Sequence, residues 1–225
     1  MTALIVIAAV LLDGLLGEPK RYHPLVGFGF MATFVETKLN RFFSSDSNKL
    51  LSFLLGLFCW ILLVLVPALT MTVLIAVINS SVLSVVILIV FDIVILSLAI
   101  AHTSLKQHAF AIVSPLVKGD LACARKQLSY IVSRDTEQLS EVGVRQATIE
   151  SVLENGSDAI FAPLFWYLVG GLPAVIIYRL ANTLDAMWGY KTQRFNYFGR
   201  FSARIDDILN WFPARLVGLS YAMKL

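Results

Sequence analysis

Two long apolar runs constrain this chain more than any other feature. Residues 50–78 carry no charge, and residues 82–101 carry only Asp92. About 20 apolar residues are enough to cross a bilayer as a helix. The whole chain is 58% hydrophobic and only 15% charged, whereas soluble domains carry roughly 25% charge. The sequence therefore predicts an all-α, polytopic integral membrane protein in contact with the lipid bilayer.

The whole chain, residues 1–225, is predicted to form one membrane domain. Its predicted parts are a short N-terminal membrane helix (1–16), a transmembrane hairpin (50–101) with its turn at 79–81, cytoplasmic helices (102–157), a re-entrant or broken membrane segment (158–185), and a polar segment leading into a truncated membrane helix (186–225). We expect residues 17–49 to form a polar loop. Basic residues cluster in this loop and after residue 101, while the turn is uncharged. The positive-inside rule then makes both basic segments cytoplasmic, and we expect the membrane to be a bacterial inner membrane.

The sequence Gly-Gly-Leu-Pro at 170–173 interrupts the apolar segment 159–184. Each arm is about 16 Å long as a helix, roughly half of a bilayer core. Two interpretations remain open: a single broken span, or a re-entrant hairpin whose arms begin and end on the cytoplasmic side. We favour the hairpin because it returns Asp158 and Asp185 to the same face.

Carboxylates collect beside apolar sequence in three helical segments. Their oxygen-bearing side chains are, in chain order, Glu150, Glu154 and Asp158 at four-residue spacing, then Asn182 and Asp185, then Asp206, Asp207 and Asn210. Like charges four residues apart repel on a helix, so a cation or an arginine should neutralise them. Oxygen ligands of this kind suit Mg²⁺. The alternative for each segment alone is a solvated helix face.

Several other functions lack support in the sequence. A net charge of +3 with no basic, aromatic-interleaved stripe argues against nucleic-acid binding. The sequence has no phosphate-binding loop of the GxxxxGK type and no GxSxG motif. Asp92 is a functional candidate because it lies within a span, or it pairs with a polar residue on another helix. The stretch Ser-Arg-Asp-Thr-Glu-Gln at 133–138 predicts a helix start capped by Asp135 or Thr136.

Long motifs in this chain resemble one known family. They are LLDGLLGEPKRYHPLVGFG near the N-terminus, then SRDT, ExxxEN..D, FAPLF, NTLD and ARxDDxxNxxPAR between residues 133 and 215. These motifs are similar to those of the adenosylcobinamide-phosphate synthase family, the CobD/CbiB membrane proteins of cobalamin biosynthesis. Members of that family are longer after the PARL sequence, so we expect a shortened member or a fragment.

The resemblance implies an ATP- and Mg²⁺-dependent amide ligation. It joins aminopropanol or its phosphate to adenosylcobyric acid and gives adenosylcobinamide or its phosphate. On this basis we assign catalytic roles to Glu150, Glu154, Asp185 and Asp207, metal ligation to Glu154, Asp158, Asp185 and Asp207, and cofactor binding to Arg134, Asn182, Lys191, Arg204 and Asn210. Expected partners also include a second copy of the chain or other corrinoid-pathway membrane proteins.

Two other functional classes remain open from the residues. Acidic motifs that face a membrane cavity are also typical of Mg²⁺-dependent intramembrane prenyl or phosphate transferases. A non-enzymatic membrane sensor or transporter that shares the fold is the second alternative.

Overall fold

The computed structural model describes residues 1–17, 23–43, 48–78 and 82–223, and every regular element in these ranges is helical. In chain order the elements are α1 (Thr2–Leu16), α2 (Pro24–Phe43), α3 (Lys49–Trp60), a π-helical turn (Ile61–Leu65), α4 (Val66–Ile78), α5 (Val82–Ala99), α6 (His102–Val117), α7 (Leu121–Leu128), α8 (Glu141–Gly156), a second π-helical turn (Ser157–Phe161), α9 (Ala162–Trp188) and α10 (Arg200–Ala222). The predicted all-α class is confirmed. The predicted turn at 79–81 lies outside the described residues.

Within the described residues, three helical runs are long and apolar enough to cross a membrane: Lys49–Ile78, Val85–Val117 and Glu141–Trp188. The first joins α3 to α4 through a π-helical turn. The shorter helix α1 packs along α5, where Ile5 and Ala9 are buried with Leu96. This arrangement supports the assignment of the chain as a polytopic membrane protein.

Asp92 has a polar partner inside the apolar bundle. The hydroxyl of Tyr167, on α9, donates a hydrogen bond of 2.6 Å to Asp92 Oδ2. Asp92 is partly buried, and a carboxylate removed from water is tolerated when it is hydrogen-bonded. Of the two interpretations of Asp92, the structure shows pairing with another helix.

The end of α1 caps the start of α6. Asp13 is 4% exposed, and its Oδ2 accepts hydrogen bonds of 2.9 Å from both the backbone N–H and the hydroxyl of Thr103. Free N–H groups in the first turn of a helix need such acceptors. The carboxylate therefore fixes α6 against α1 across ninety positions of sequence.

The chain folds back on itself within α9. Gly171 has φ of 62° and ψ of −155°, outside the helical region, and glycine adopts this positive φ without a steric penalty. The hydroxyl of Tyr178 lies 2.8 Å from the carbonyl oxygen of Asp158. A continuous helix would separate these two residues by about 30 Å. Residues 158–188 therefore form a helical hairpin, here called the α9 hairpin. That its tip lies within the bilayer stays a prediction.

The polar loop predicted for residues 17–49 is wrong over most of its length, because α2 occupies Pro24–Phe43. One face of α2 is buried at four-residue spacing, at Phe28, Ala32, Glu36 and Asn40. Arg194 contacts both polar members of this face: its Nε donates to Glu36 Oε1 at 2.8 Å, and its carbonyl accepts from Asn40 Nδ2 at 2.9 Å. The local pattern looked polar because the partner of these residues is distant in sequence.

The helix start predicted at 133–138 is also wrong. The helix α8 begins at Glu141, and its cap is Ser140, whose hydroxyl accepts from the N–H of Gly143 at 3.1 Å. Thr136 instead donates its hydroxyl proton to the carbonyl of Arg125 on α7. Residues before Ser140 therefore tie the loop to α7 and do not begin a helix.

Close backbone packing joins α3 to the segment before α10. A Cβ atom on Gly56 would lie 1.9 Å from the carbonyl oxygen of Phe198, so no larger residue fits there. Phe198 and Trp188 are almost fully buried, with ring centroids 4.9 Å apart. This core holds the last residue of α9 against the segment that leads into α10.

Candidate active site

A cleft of about 1300 Å³ lies between α6, the loop at 130–134, α8, the α9 hairpin and α10. It gathers most of the side chains predicted for the site. Those that line it are Arg134, Glu150, Glu154, Asp158, Asn182, Asp185, Asp207 and Asn210. The structure therefore brings these residues, from segments distant in sequence, to one cleft, while their roles stay predictions.

The carboxylates of α8 enter the cleft from one side. Glu150 and Glu154 belong to α8, and Asp158 follows in the π-helical turn Ser157–Phe161. π-helical turns inside helices are often found at functional sites. Arg134 forms an ion pair with Glu150, and both side chains are more than half exposed, so solvent weakens this pair.

Asp206 is the centre of the hydrogen-bonded network on the opposite wall. Its Oδ1 accepts from Asn182 Nδ2 at 3.2 Å, and its Oδ2 accepts from Asn210 Nδ2 at 3.0 Å. The residue is 8% exposed. Burial raises the pKa of Asp206 and the charge of Asp207 adds to this, while the two amide hydrogen bonds oppose it. The network places a carboxylate whose charged form is poorly solvated next to the open cleft.

Tyr178 joins this network to both arms of the α9 hairpin. Its hydroxyl lies 2.8 Å from the carbonyl oxygen of Asp158 and 2.8 Å from Oδ1 of Asn210. A phenol has one hydrogen, so it donates to one of these acceptors at a time. The amide of Asn210 cannot turn over without losing its bond to Asp206. Tyr178 therefore fixes α10 against the hairpin at the floor of the cleft.

Negative charge exceeds positive charge along the cleft. The described residues that line it include six carboxylates and three guanidinium groups: Glu150, Glu154, Asp158, Asp185, Asp206 and Asp207, against Arg134, Arg179 and Arg215. Asp158 is repelled by the charges of Asp206, Glu154 and Asp185. Such a site favours the binding of cations.

The carboxylates surround the cleft without forming a complete metal cage. Within the described ranges, no three His, Cys, Asp or Glu side chains are close enough together to hold a metal ion by themselves. Protein-bound Mg²⁺ is commonly held by one or two carboxylates together with waters and substrate phosphates. The donor set, all oxygen and open on one side, fits Mg²⁺ held jointly with a phosphate ligand.

Two predicted residues are not among those that line the cleft. Lys191 lies in the exposed segment between α9 and α10, and Arg204 lines a smaller cavity at the start of α10. Sequence analysis also left three contributors outside the predicted site. These are Asp206, which could be found from its four-residue spacing to Asn210, Arg179, which is one of several scattered basic residues, and Tyr178, which no local pattern separates from its apolar arm.

The segment between α9 and α10 is anchored beside the cleft by α2. Glu36, 2% exposed, forms an ion pair with Arg194, and Asn40 donates to both Glu36 Oε1 and the carbonyl of Arg194. Tyr190, four residues before Arg194, lines the cleft. The buried contacts of α2 therefore help to set the position of one wall of the site.

Comparison with known proteins identifies relatives over almost the whole chain. The family model described as CobD/Cbib protein matches residues 6–224. A protein of Stutzerimonas stutzeri named cobalamin biosynthesis protein CobD is 48% identical over 218 residues, which cover 97% of this chain and 68% of that protein. A protein of the same name from Chromobacterium violaceum is 47% identical, over 99% of this chain and 69% of its own length.

The resemblance extends beyond bacteria. A protein of Pyrococcus furiosus named probable cobalamin biosynthesis protein CobD is 39% identical, over 95% of this chain and 70% of its own length. The chain thus spans about two thirds of the length of these relatives. No solved structure matches it. Since the family match and the alignments with these relatives both cover nearly every residue of the chain, the chain belongs to the CobD/CbiB protein family.

Proposed function

We propose that this chain acts in cobalamin biosynthesis as an amide-forming ligase of the inner membrane, with its cleft on the cytoplasmic side. It would join aminopropanol or its phosphate to a propionate of adenosylcobyric acid, with consumption of ATP. The single observation that carries the proposal is the convergence of carboxylates from α8, the α9 hairpin and α10 in one open cleft. Family membership supplies the pathway.

The acidic cleft supports a role for Mg²⁺ together with a nucleotide. An unactivated carboxylate and an amine do not condense in water, so ATP supplies the activation and bound Mg²⁺ offsets charge on its phosphates. Glu154, Asp158, Asp185 and Asp207 are the proposed ligands. Asn182 and Asn210 hold Asp206 by hydrogen bonds and so keep the floor of the cleft in one arrangement.

The arginines of the cleft supply the complementary function. Guanidinium groups bind phosphates and carboxylates with two parallel hydrogen bonds. Arg134, Arg179 and Arg215 are the cationic side chains of the lining, and we assign to them the phosphates of the nucleotide and the propionate of the corrinoid. Glu150, which is paired with Arg134, would set the position of that guanidinium, and we assign to it the role of proton acceptor for the reacting amine.

The dimensions of the cleft also support a reaction between large substrates. Small-molecule sites usually have a volume of roughly 300–1000 Å³, and this cleft is larger, at about 1300 Å³. Its lining combines charged groups with Leu105, Tyr130 and Trp211. A corrinoid ring system needs such apolar surface beside its polar amides.

The test is a direct assay on purified protein in detergent. Adenosylcobyric acid, aminopropanol phosphate, ATP and Mg²⁺ are supplied, and the amide product is measured by mass spectrometry, with a longer relative as the positive control. We expect product from the wild type and from Glu137→Gln, an exposed carboxylate outside the cleft, and none from Asp185→Asn. Absence of product from the wild type, with product from the longer relative, would refute ligase activity in this chain.

A further inference from the structure

A second cavity, of about 430 Å³, lies where α3 and α10 begin. The residues that line it are Lys49, Leu50, Phe53, Tyr197, Arg200 and Arg204. Among the described residues, the three charged side chains that line it are all basic, whereas the large cleft is mainly acidic. The two cavities therefore select ligands of opposite charge, and this one favours an anion.

The three cations face the same space and are not engaged elsewhere in ion pairs. Arg200 and Arg204 are one helical turn apart, so they lie on one face of α10. The ammonium group of Lys49 lies 5.5 Å from the ring centroid of Tyr197, which holds it at the cavity. None of the ion pairs formed between described residues involves Lys49, Arg200 or Arg204.

Backbone groups add to this positive charge. The helix α3 begins at Lys49 and α10 at Arg200; neither first turn contains an acidic residue, and neither helix has a side-chain cap. The positive end of the helix dipole favours anions near such termini. Guanidinium and ammonium groups in one cavity are the side chains that bind phosphate.

The position of the cavity at the end of a membrane helix indicates the source of the phosphate. Lys49 is the first residue of the apolar run Lys49–Ile78. From the wall of the cavity, Leu50, Leu54 and Phe58 follow one another at four-residue spacing on α3, and all three are exposed, at 71%, 47% and 58%. An acyl chain can lie along this apolar stripe while the phosphate of its head group contacts the three cations. A soluble phosphate ester has no acyl chain and would leave the stripe uncovered.

We propose that this cavity binds the phosphate head group of an anionic phospholipid, with its acyl chains along α3. Basic residues at membrane ends can serve orientation alone, but here three of them converge on one cavity with an apolar stripe below it. Arg204 is thereby assigned to the lipid. Because Asp207 and Asn210 of the large cleft belong to the same helix, a bound lipid would also hold the start of α10 in place.

The test compares lipids and variants on the purified full chain. The protein is titrated in mild detergent with phosphatidylglycerol or phosphatidylcholine, and bound lipid is counted by native mass spectrometry. We expect preferential retention of phosphatidylglycerol. The triple variant Lys49→Gln, Arg200→Gln, Arg204→Gln should lose roughly a hundredfold in affinity, since each basic group near an anionic lipid contributes roughly fivefold. The matched control is Lys106→Gln, Lys118→Gln, Lys126→Gln, three exposed lysines of α6, α7 and the turn between them, which should retain binding.

Three results would overturn the proposal. One is equal retention of the two lipids by the wild type. Another is equal loss of phosphatidylglycerol in both triple variants, which would show a general charge effect. The third is full displacement of the lipid by millimolar glycerol phosphate, which would assign the cavity to a soluble phosphate ester. Circular dichroism and the single variant Arg204→Gln, with an expected loss of roughly fivefold, separate lost binding from lost folding.

Discussion

Replacement of Tyr178 with phenylalanine tests how the candidate active site is held together. The side chain is fully buried, and its hydroxyl lies 2.8 Å from the carbonyl oxygen of Asp158 and 2.8 Å from Oδ1 of Asn210. Phenylalanine keeps the ring and its packing but removes the hydroxyl donor that the two acceptors share. The change therefore isolates the link between the α9 hairpin and α10.

The expected magnitude follows from the hydrogen-bond count. One hydroxyl hydrogen forms one good bond at a time, so the loss is that of a single buried bond. Leaving its acceptor unsatisfied costs about 1–3 kcal/mol in free energy of unfolding. The control is Tyr221→Phe, the same chemical change on α10 at a residue that is 44% exposed, where we expect a change within about 0.5 kcal/mol.

The assay is equilibrium unfolding of purified protein in mild detergent, titrated with sodium dodecyl sulfate and followed by tryptophan fluorescence. The Tyr178→Phe variant should unfold at a lower mole fraction of sodium dodecyl sulfate than the wild type, and Tyr221→Phe should not. Equal midpoints for the two variants would show that the hydroxyl of Tyr178 does not hold the hairpin against α10, and the account of the cleft floor would fail.

Two further substitutions test packing and charge. Gly56→Ala should lower stability by about 1–3 kcal/mol or prevent folding, because its Cβ would lie 1.9 Å from the carbonyl of Phe198; Gly218→Ala, with nothing within 4 Å, should be neutral or stabilising in a thermal unfolding assay. Asp158→Asn should raise the unfolding temperature measured without Mg²⁺, since it removes a charge that burial disfavours and that three other carboxylates repel, against one attraction from Arg179, and it should reduce the stabilisation gained on adding Mg²⁺. The first prediction fails if both glycine variants behave alike, and the second if Asp158→Asn is less stable than Glu137→Gln in metal-free buffer.

The parts of the fold predicted from sequence are those set by local chemistry. Apolar runs at 50–78 and 82–101 predicted α3 to α5 closely, because the length of an apolar run can be read directly from the sequence. Gly170 and Gly171 predicted the break in α9, since glycine marks positions of unusual backbone geometry. The helix α2 was missed because its buried face includes Glu36, whose partner Arg194 is 158 positions away, and no local pattern records such a distant pair.

The candidate site shows the same division. The four-residue spacing of the carboxylates on α8 predicted that they share one edge of that helix, and in the structure this edge lines the cleft. The spacing of Asp206 to Asn210 puts these two side chains on one face of α10, whereas Asp207 points about 100° away; which of the two aspartates is buried was not predictable, because tertiary packing decides it. Asp206 accepts the two amide hydrogen bonds, while Asp207 remains exposed.

The fold-back at Gly171 determines whether this part of the chain crosses the membrane an odd or an even number of times. By hydropathy alone, the run Glu141–Trp188 counts as one crossing, which would put α7 and the segment after Trp188 in opposite compartments. A re-entrant hairpin would count as none, and both segments would then share a compartment. A membrane-impermeant thiol reagent added from one side should therefore label Cys123 and an introduced Thr192→Cys together, or neither of them.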